Sequence, residues 1–252
     1  MGSHFRERLH DPDSRLLGMF VKFPTLETME ILASAGCDFV IIDMEHSALD
    51  LDRAAHLIRT ADAAGITPFV RVPDVDAPLI KKLLNLGAAG IVLPHGNRDN
   101  CAELLKAMKF APDGERGACQ ITRAAGYVRG GWDAYAERAN REVMAIPLLE
   151  EDESIADFET LAAMPGLDVF FVGPTDLHQS MGFGGQLGHP DVETVIQQVV
   201  DAAKARNVAL GIVAPDAEQT NRRLRQGFQM VVANVPALLM RASREMLATV
   251  ER

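Results

Sequence analysis

One stretch of the chain, residues 68–94, reads PFVRVPDVDAPLIKKLLNLGAAGIVLP and contains a complete strand–helix–strand unit. The apolar runs at its two ends predict short strands over 68–71 and 90–94, and the segment between them predicts a helix over 78–86. Pro78 suits the first turn of that helix, because a backbone amide there has no partner within the helix. Both strand segments are continuously apolar, which is typical of a parallel sheet covered on both faces.

The same unit recurs along the whole chain. Short apolar runs predict strands over 17–22, 39–42, 68–71, 90–94, 143–149, 169–172, 208–213 and 228–233. Segments of helical periodicity predict helices over 26–35, 51–64, 78–86, 100–109, 153–164, 192–207, 217–226 and 236–250. An irregular segment over 110–140 is expected to form a loop with a short helix. A glycine-rich loop is expected between the sixth strand and Pro190.

Eight such units in 252 residues predict a single-domain (β/α)8 TIM barrel over residues 16–252, preceded by an N-terminal extension over residues 1–15. The competing fold is a doubly wound open sheet, whose dinucleotide-binding form carries G-x-G-x-x-G after its first strand. The nearest candidate for that motif, residues 182–187, lies in the wrong unit and has Leu187 where the third glycine belongs. The barrel is therefore preferred.

The composition is that of a globular protein, with 48% hydrophobic and 24% charged residues. A net charge of −10 argues against a nucleic-acid-binding protein, because such proteins present a basic face. No apolar run reaches the roughly 18 residues of a membrane helix, and the N-terminus lacks the apolar stretch of a signal peptide. The three cysteines, Cys37, Cys101 and Cys119, have no C-x-x-C spacing. We therefore expect a reduced, cytoplasmic protein.

Ionisable residues follow most of the predicted strands at their C-terminal ends, where (β/α)8 barrels place their active sites. They are Lys22, Asp43, Glu45, His46, Arg71, His95, Glu150, Glu151, Asp152, Glu153, Asp176 and Asp216. Surface charge placed at random would not recur so consistently at strand ends. The pattern therefore predicts a functional cluster at this end of the barrel.

Five motifs occur in one order along these units. They are DMEH (43–46), RVP (71–73), LNLGAAGIVLP (84–94), PDGERG (112–117) and GPTDL (173–177). Together they closely resemble the HpcH/HpaI aldolase family, the metal-dependent pyruvate aldolases that act on 4-hydroxy-2-oxo acids. The resemblance runs from about Leu16 to the final helix. It implies a lyase that reversibly joins pyruvate, or an analogue such as hydroxypyruvate, to an aldehyde.

The same resemblance implies roles for individual residues. Glu150 and Asp176 would bind the metal ion, and Arg71 would bind the keto oxygen of pyruvate. His46 would serve in proton transfer. Backbone amides over 173–175 would hold the pyruvate carboxylate. The residues expected to bind substrate or to support these groups are Gly173, Pro174, Thr175, Val213 and Asp43.

The implied chemistry agrees with these residue types. Carbon–carbon cleavage leaves a pyruvate enolate, whose developing negative oxygen requires fixed positive charge. A divalent ion supplies that charge on one side, and a guanidinium supplies it on the other. Two carboxylates completed by water form an oxygen ligand set, which favours Mg²⁺, Mn²⁺ or Co²⁺ over a thiolate-type zinc site.

Three positions depart from the family pattern. Leu148 stands where a glutamine usually precedes the metal glutamate by two residues, so one hydrogen bond around the metal is missing. Asn85 replaces an aspartate that supports the histidine, so His46 lacks the charged partner that the family pattern provides. Glu151 adds negative charge directly after Glu150. These departures leave the two metal-binding carboxylates intact, but they weaken any inference of the exact substrate from the family.

Several alternatives remain open from the sequence. Lys22 ends the first strand and could form a Schiff base, and His95 is either a pocket residue or a structural one. Related barrels use the enolate differently, as an oxaloacetate decarboxylase or a CoA-ester lyase. A CoA ester requires a basic groove for its phosphates, which the charge of −10 disfavours. A non-catalytic small-molecule-binding barrel would show no metal-dependent turnover.

The last predicted helix needs a partner surface, because apolar residues line one of its faces. They are Leu238, Leu239, Ala242, Met246 and Val250. In the family, a similar helix is exchanged between neighbouring subunits of a hexamer, so a homo-oligomer is expected. The remaining expected partners are a small 2-oxo acid and an aldehyde, with no nucleic acid and no membrane.

Overall fold

A computed structural model describes residues 2–11, 14–128, 131–167 and 169–250 of the chain. Eight parallel strands form a closed barrel in sequence order, and β8 pairs with β1 to complete it. The strands are β1 (Leu16–Val21), β2 (Phe39–Asp43), β3 (Thr67–Arg71), β4 (Gly90–Leu93), β5 (Met144–Leu149), β6 (Val169–Val172), β7 (Ala209–Val213) and β8 (Met230–Asn234). The predicted (β/α)8 TIM barrel is confirmed, and every strand lies within two residues of its predicted bounds.

Helices surround the barrel and connect its strands. They are α1 (Gly2–Leu9), α2 (Leu26–Ser34), α3 (Leu51–Ala64), α4 (Ala77–Leu86), α5 (Arg98–Met108), α6 (Trp132–Glu142), α7 (Asp152–Ala156), α8 (Phe158–Ala162), α9 (Pro174–Ser180), α10 (Pro190–Arg206), α11 (Ala217–Gln226) and α12 (Val235–Ala248), with one 3₁₀ turn at Gly126–Val128. Asp50 and Asp76 cap α3 and α4, because each side chain accepts the amide three residues later.

Two helix predictions are wrong in detail. The helix expected over 153–164 is divided into α7 and α8, because Asp157 between them leaves the helical conformation at φ −92° and ψ 7°. The loop expected after β6 begins instead with helix α9. Pro174 starts this helix at a position where its missing amide hydrogen has no cost and its fixed φ is already helical.

Two apolar layers follow from the alternation of side chains along each strand. Leu148 points into the barrel and packs in an interior cluster with Ile146 and Phe171. Leu149, the next residue, belongs to the layer between the strands and the outer helices. The barrel is therefore filled by side chains and has no open channel, which confines ligand sites to its ends.

Helix α1 closes the N-terminal end of the barrel. Phe5 and Leu9 are only 3% and 1% exposed. The Phe5 ring meets Phe39 at 5.5 Å and Phe69 at 5.1 Å between centroids, in edge-to-face geometry that adds about 0.5–1.5 kcal/mol per pair beyond burial. The predicted N-terminal extension therefore contributes to the interior of the barrel, although its residues 1, 12 and 13 lie outside the described residues.

Helix α12 lies on the outside, beside β1 and β8, and none of its residues is buried. Its side chains Leu239, Met240 and Met246 are 58%, 54% and 62% exposed. Across the described ranges, no helix combines the length and the apolar character needed to cross a membrane.

Candidate active site

The C-terminal ends of β2 and β3 bring Asp43 and Arg71 side by side. The two residues are register partners in the barrel, and both are buried. Arg71 donates from Nε to Asp43 Oδ1 at 3.0 Å and from Nη2 to Asp43 Oδ2 at 2.7 Å. This bidentate fork fixes the guanidinium and uses two of its five N–H groups. Its other N–H groups remain for a ligand or for neighbouring acids.

Asp43 also organises the turn that follows β2. Its Oδ1 accepts the backbone amides of Glu45 and His46, each at 3.1 Å, and Lys22 Nζ lies 3.4 Å from its Oδ2. Burial alone would raise the pKa of Asp43. The hydrogen bonds and charge of Arg71, the amide of His46 and the charge of Lys22 more than offset burial and hold that pKa below its ordinary value. Asp43 is therefore an ionised anchor for Arg71.

Glu45 was among the ionisable residues at the strand ends, but no individual role was predicted for it from the sequence. Its Oε2 lies 3.0 Å from Arg71 Nη1 and 3.6 Å from His46 Nε2. This oxygen is buried and makes no hydrogen bond of good geometry, whereas the ring of His46 is 56% exposed at the rim. Its position between Asp43 and His46 in the DMEH motif was the available signal.

Glu150 follows β5 and is only 3% exposed. Its Oε1 accepts the backbone amide of His95 at 2.7 Å, and His95 adopts φ 52°, an uncommon conformation for a residue with a side chain. The His95 ring also lies close to acids, with Nδ1 3.5 Å from Glu150 Oε1 and 3.2 Å from Glu151 Oε1. A Cβ at Gly173 would stand 2.8 Å from Glu150 Oε2, so the glycine keeps that oxygen uncovered.

Negative charge collects around Glu150. Burial raises the pKa of Glu150, the amide and ring of His95 lower it, and the charges of Asp176 and Glu45 raise it again. A divalent cation here would offset this repulsion, and carboxylate oxygens are the donors that hard ions prefer. No cluster of three or more His, Cys, Asp or Glu ligands is found within the described ranges. A metal held by Glu150 and Asp176 would therefore be completed by water or substrate oxygens.

The start of helix α9 borders a cavity of about 490 Å³ whose walls include Pro174, Thr175 and Val213. The amide of Gly173 already donates to the carbonyl of Leu149 at 3.1 Å. Proline has no amide hydrogen. The expectation that the whole segment holds a carboxylate is therefore corrected, since Thr175 is the residue with an amide left to donate.

Asn85 does not contact His46 within the chain. It lies in the last turn of α4, which leads into the N-terminal end of β4, and its Oδ1 accepts a hydrogen bond from Arg116 Nη2 at 2.8 Å. Within one chain the two residues lie at opposite ends of the barrel, so any support of His46 by this position would have to come from a neighbouring subunit, and the expectation stays a prediction. Leu148 is buried inside the barrel, two residues before Glu150.

A closed parallel barrel that gathers a buried arginine and several acids at the C-terminal ends of its strands has the form of a (β/α)8 enzyme. The chain belongs to the HpcH/HpaI aldolase/citrate lyase family, whose model matches residues 16–240. The family predicted from the five motifs is thereby confirmed, and the protein is a carbon–carbon lyase.

Individual relatives match nearly the whole chain. A hydroxypyruvate/pyruvate aldolase from Paraburkholderia phytofirmans is 34% identical over 97% of this chain and 96% of its own length. A 2-dehydro-3,6-dideoxy-6-sulfogluconate aldolase from Pseudomonas putida is 32% identical over 93% and 92%. The crystal structure of a family member from Burkholderia cenocepacia has a TM-score of 0.90 at 34% identity and covers 97% of this chain and 98% of that one.

Proposed function

We propose that this lyase reversibly cleaves 4-hydroxy-2-oxo acids to an aldehyde and pyruvate, or a close analogue such as hydroxypyruvate, with the help of a divalent metal ion. The observation that carries the proposal is the charge arrangement at one end of the barrel. A buried guanidinium, Arg71, is held rigidly by Asp43 and lies 3.0 Å from Glu45, and the charges of Glu45 and Asp176 in turn act on the buried Glu150. The relatives named as pyruvate and hydroxypyruvate aldolases support the same substrate class.

Glu150 and Asp176 would hold the ion, and Mg²⁺, Mn²⁺ or Co²⁺ would supply positive charge to the oxygens of a 2-oxo acid when bound. The chain prepares Glu150 for this role in two ways. The His95 amide fixes Oε1, and the missing side chain of Gly173 leaves Oε2 uncovered.

Arg71 would donate hydrogen bonds to the oxygen on which the enolate charge develops. Asp43 acts as a positioning residue, because its bidentate fork orients the guanidinium before substrate arrives. A donor held in place in advance does not reorganise during the reaction, which is the main advantage of such sites over water. Thr175 would donate its amide to the substrate carboxylate.

His46 would move a proton between the substrate hydroxyl and solvent. Its backbone amide is tied to Asp43, while its ring is exposed at the rim of the barrel. This combination fixes the position of the residue and leaves the ring in contact with solvent, as a proton carrier requires.

The proposed experiment measures enolate formation by itself, in the absence of an aldehyde. Enolate formation requires only pyruvate, the ion and a base, so the enzyme should exchange the methyl protons of pyruvate with deuterated water when no aldehyde is present. A chelator should stop the exchange, and Mg²⁺, Mn²⁺ or Co²⁺ should restore it. Proton NMR of pyruvate measures the rate directly.

Variants in the same experiment test which carboxylates hold the metal ion. Glu150→Ala and Asp176→Ala should prevent restoration by metal, because one carboxylate holds a divalent ion poorly against water. Glu153→Ala is the matched control, since Glu153 is an exposed acid in the same run. Full exchange in the chelated enzyme, or restoration in Glu150→Ala, would contradict the proposed metal site.

The Schiff-base alternative at Lys22 has its own test. Borohydride added with pyruvate would trap a pyruvyl-lysine adduct that mass spectrometry detects. We expect no adduct, because Lys22 Nζ is already engaged by the carboxylate of Asp43, 3.4 Å away. A trapped adduct at Lys22 would replace the metal mechanism.

We also propose that the enzyme is a homo-oligomer, a hexamer by resemblance, in which α12 packs on a neighbouring copy. The support is the unburied helix itself, whose apolar side chains include Leu239 and Met246. Light scattering after size exclusion should give a mass several times 27.4 kDa. Leu239→Glu with Met246→Glu should lower it, and an unchanged monomeric mass for the parent protein would contradict the assembly.

A further inference from the structure

A second buried arginine lies far from the candidate active site. Arg116 is 5% exposed and belongs to the irregular segment between α5 and α6. Its Nη2 donates to Asn85 Oδ1 at 2.8 Å and to the Tyr135 hydroxyl at 3.4 Å, and its guanidinium lies 4.4 Å from the centre of the Phe110 ring. These neighbours are all uncharged.

Arg116 differs in this respect from the other buried arginines of the described chain. Arg71 pairs with Asp43, and Arg223 makes a two-point ion pair with Glu193. Among the described residues, no carboxylate lies within ion-pair distance of Arg116, and its Nε is buried without a hydrogen-bond partner. Burial lowers the pKa of Arg116, which reflects the cost of a charge removed from water without an opposite charge.

Arg116 borders a cavity of about 450 Å³ at the N-terminal end of the barrel. Pro68, Ala89 and Val143, at the starts of β3, β4 and β5, form part of its wall, and the Tyr135 ring forms another part. The cavity therefore lies at the opposite end of the strands from Arg71 and Glu150.

The charges that line this cavity do not balance. Arg123 pairs with Asp62, and Arg138 lies 3.9 Å from Glu142. Arg116 is the remaining cation in the lining, so one positive charge is left over. The rest of the wall includes Leu84, Ala88, Ala139 and other apolar side chains. A site with one excess cation and apolar walls suits an anion with a short carbon chain.

We propose that this cavity binds a small monocarboxylate, with its carboxylate on Arg116 and the Tyr135 hydroxyl and its carbon chain against the apolar wall. Among the described residues, no hydrogen bond occupies the Nη1 hydrogens of Arg116, and the Tyr135 hydroxyl, which accepts from Nη2, keeps its own hydrogen to donate. The two groups together therefore offer a carboxylate two points of contact. The ligand completes the ion pair that the chain itself does not supply. Within one chain, the cavity lies at the opposite end of the barrel from the proposed catalytic centre, and its occupancy is measured without reference to turnover.

The probe is propionate, with propionamide as a neutral control of the same shape. Both are added at matched ionic strength to metal-free protein, and thermal unfolding and calorimetric titration are followed. At about ten times its Kd, propionate should raise Tm by about 3–6 °C, while propionamide should leave Tm unchanged. Inorganic phosphate is a further arm, and stronger binding of phosphate than of propionate would overturn the carboxylate assignment.

Variants locate the binding. Arg116→Met should abolish the propionate shift, and Tyr135→Phe should reduce it. Asn85→Asp should also abolish it, because the new carboxylate beside Nη2 would neutralise the excess charge of Arg116, and this variant serves if Arg116→Met fails to fold. Asp176→Asn should retain the shift, since it alters only the candidate active site.

A second cavity also includes Arg116 in its lining, together with Lys81 and Lys106. Lys81→Gln is therefore the matched control and should keep the shift. Loss of the shift in Lys81→Gln with retention in Tyr135→Phe would overturn the proposed location. An equal shift in Arg116→Met and the parent protein, or no shift in the parent, would overturn the site.

Discussion

Arg71 and Arg116 are both buried, at 8% and 5% exposure, yet only Arg71 has carboxylates beside it among the described residues. At the C-terminal ends of the strands, Arg71 is held by Asp43 and lies beside Glu45. At the N-terminal end, Arg116 has an amide, a phenol and an aromatic ring as its neighbours.

The difference lies in whether the chain itself supplies an opposite charge for each buried arginine. A buried cation needs an opposite charge, because the protein interior replaces water poorly as a solvent for ions. The region around Arg71 contains an excess of acids, which leaves room for a cation. The region around Arg116 contains too few, which leaves room for an anion. The four predictions below test this contrast.

The largest effect is expected from Asp43→Asn. The change removes the charge that faces Arg71 and leaves a buried guanidinium without its main partner, which costs about 3–5 kcal/mol in comparable buried pairs. Urea unfolding of the two proteins measures the difference. Asp52→Asn is the control, because Asp52 is 78% exposed and its ion-pair partner, His56, is itself exposed, so the change should alter stability by less than about 0.5 kcal/mol. Equal losses in both variants would refute the special role of Asp43.

Arg71→Lys should lower turnover by about 10²–10³-fold, the usual cost of losing one donor to a developing oxyanion. Lysine keeps the charge but loses the planar fork that binds Asp43 at two points. Arg116→Lys is the matched change at the other end of the barrel, and it should lower turnover less than twofold. Steady-state cleavage assays measure both, and a fully active Arg71→Lys enzyme would remove Arg71 from the catalytic groups.

The pH dependence of the Asp43 contribution follows from the direction of its pKa. Because the folded state holds this pKa below the ordinary value of 3.8, the ion pair stabilises the protein fully above that value. The contribution is lost as pH falls through the lowered pKa. The stability gap between the parent and Asp43→Asn should therefore stay constant from pH 7 to about 5 and narrow below about 4. Urea unfolding across this range measures the gap, and a gap that widens in acid would reverse the assignment.

The fold could be predicted almost completely from the sequence, because a barrel repeats one simple signal. Each strand is a short apolar run, as in Val169–Val172, and buried parallel strands show that pattern strongly. The errors lie where local geometry outweighs periodicity. Asp157 interrupts an otherwise helical segment, and Pro174 begins a helix inside a stretch whose glycines suggested a loop.

The site was less predictable, because side-chain contacts depend on the packing of distant segments. The strand-end rule was enough to find Arg71 and Glu150. It did not show that Glu45 lies 3.0 Å from Arg71, or that the His95 amide meets Glu150. The contact of Asn85 with Arg116 was not predictable for the same reason, since Arg116 is 31 residues away and belongs to an irregular segment without a periodic signal.

The smallest effect, and the one that separates the two arginines most directly, is expected from Asn85→Asp. The side chain of Asn85 already accepts a hydrogen bond from Arg116, so aspartate requires no new geometry. A hydrogen bond between two charged groups is stronger than one between a charged group and a neutral amide. Because Asn85 is only half-buried, a carboxylate at this position would lose little hydration. We expect a gain of about 1 kcal/mol in unfolding free energy. Urea unfolding in chloride buffer, without carboxylates, measures it, and Asn221→Asp on the exposed face of α11 is the control. A loss of stability in Asn85→Asp would mean that Arg116 is already compensated, and the contrast with Arg71 would no longer hold.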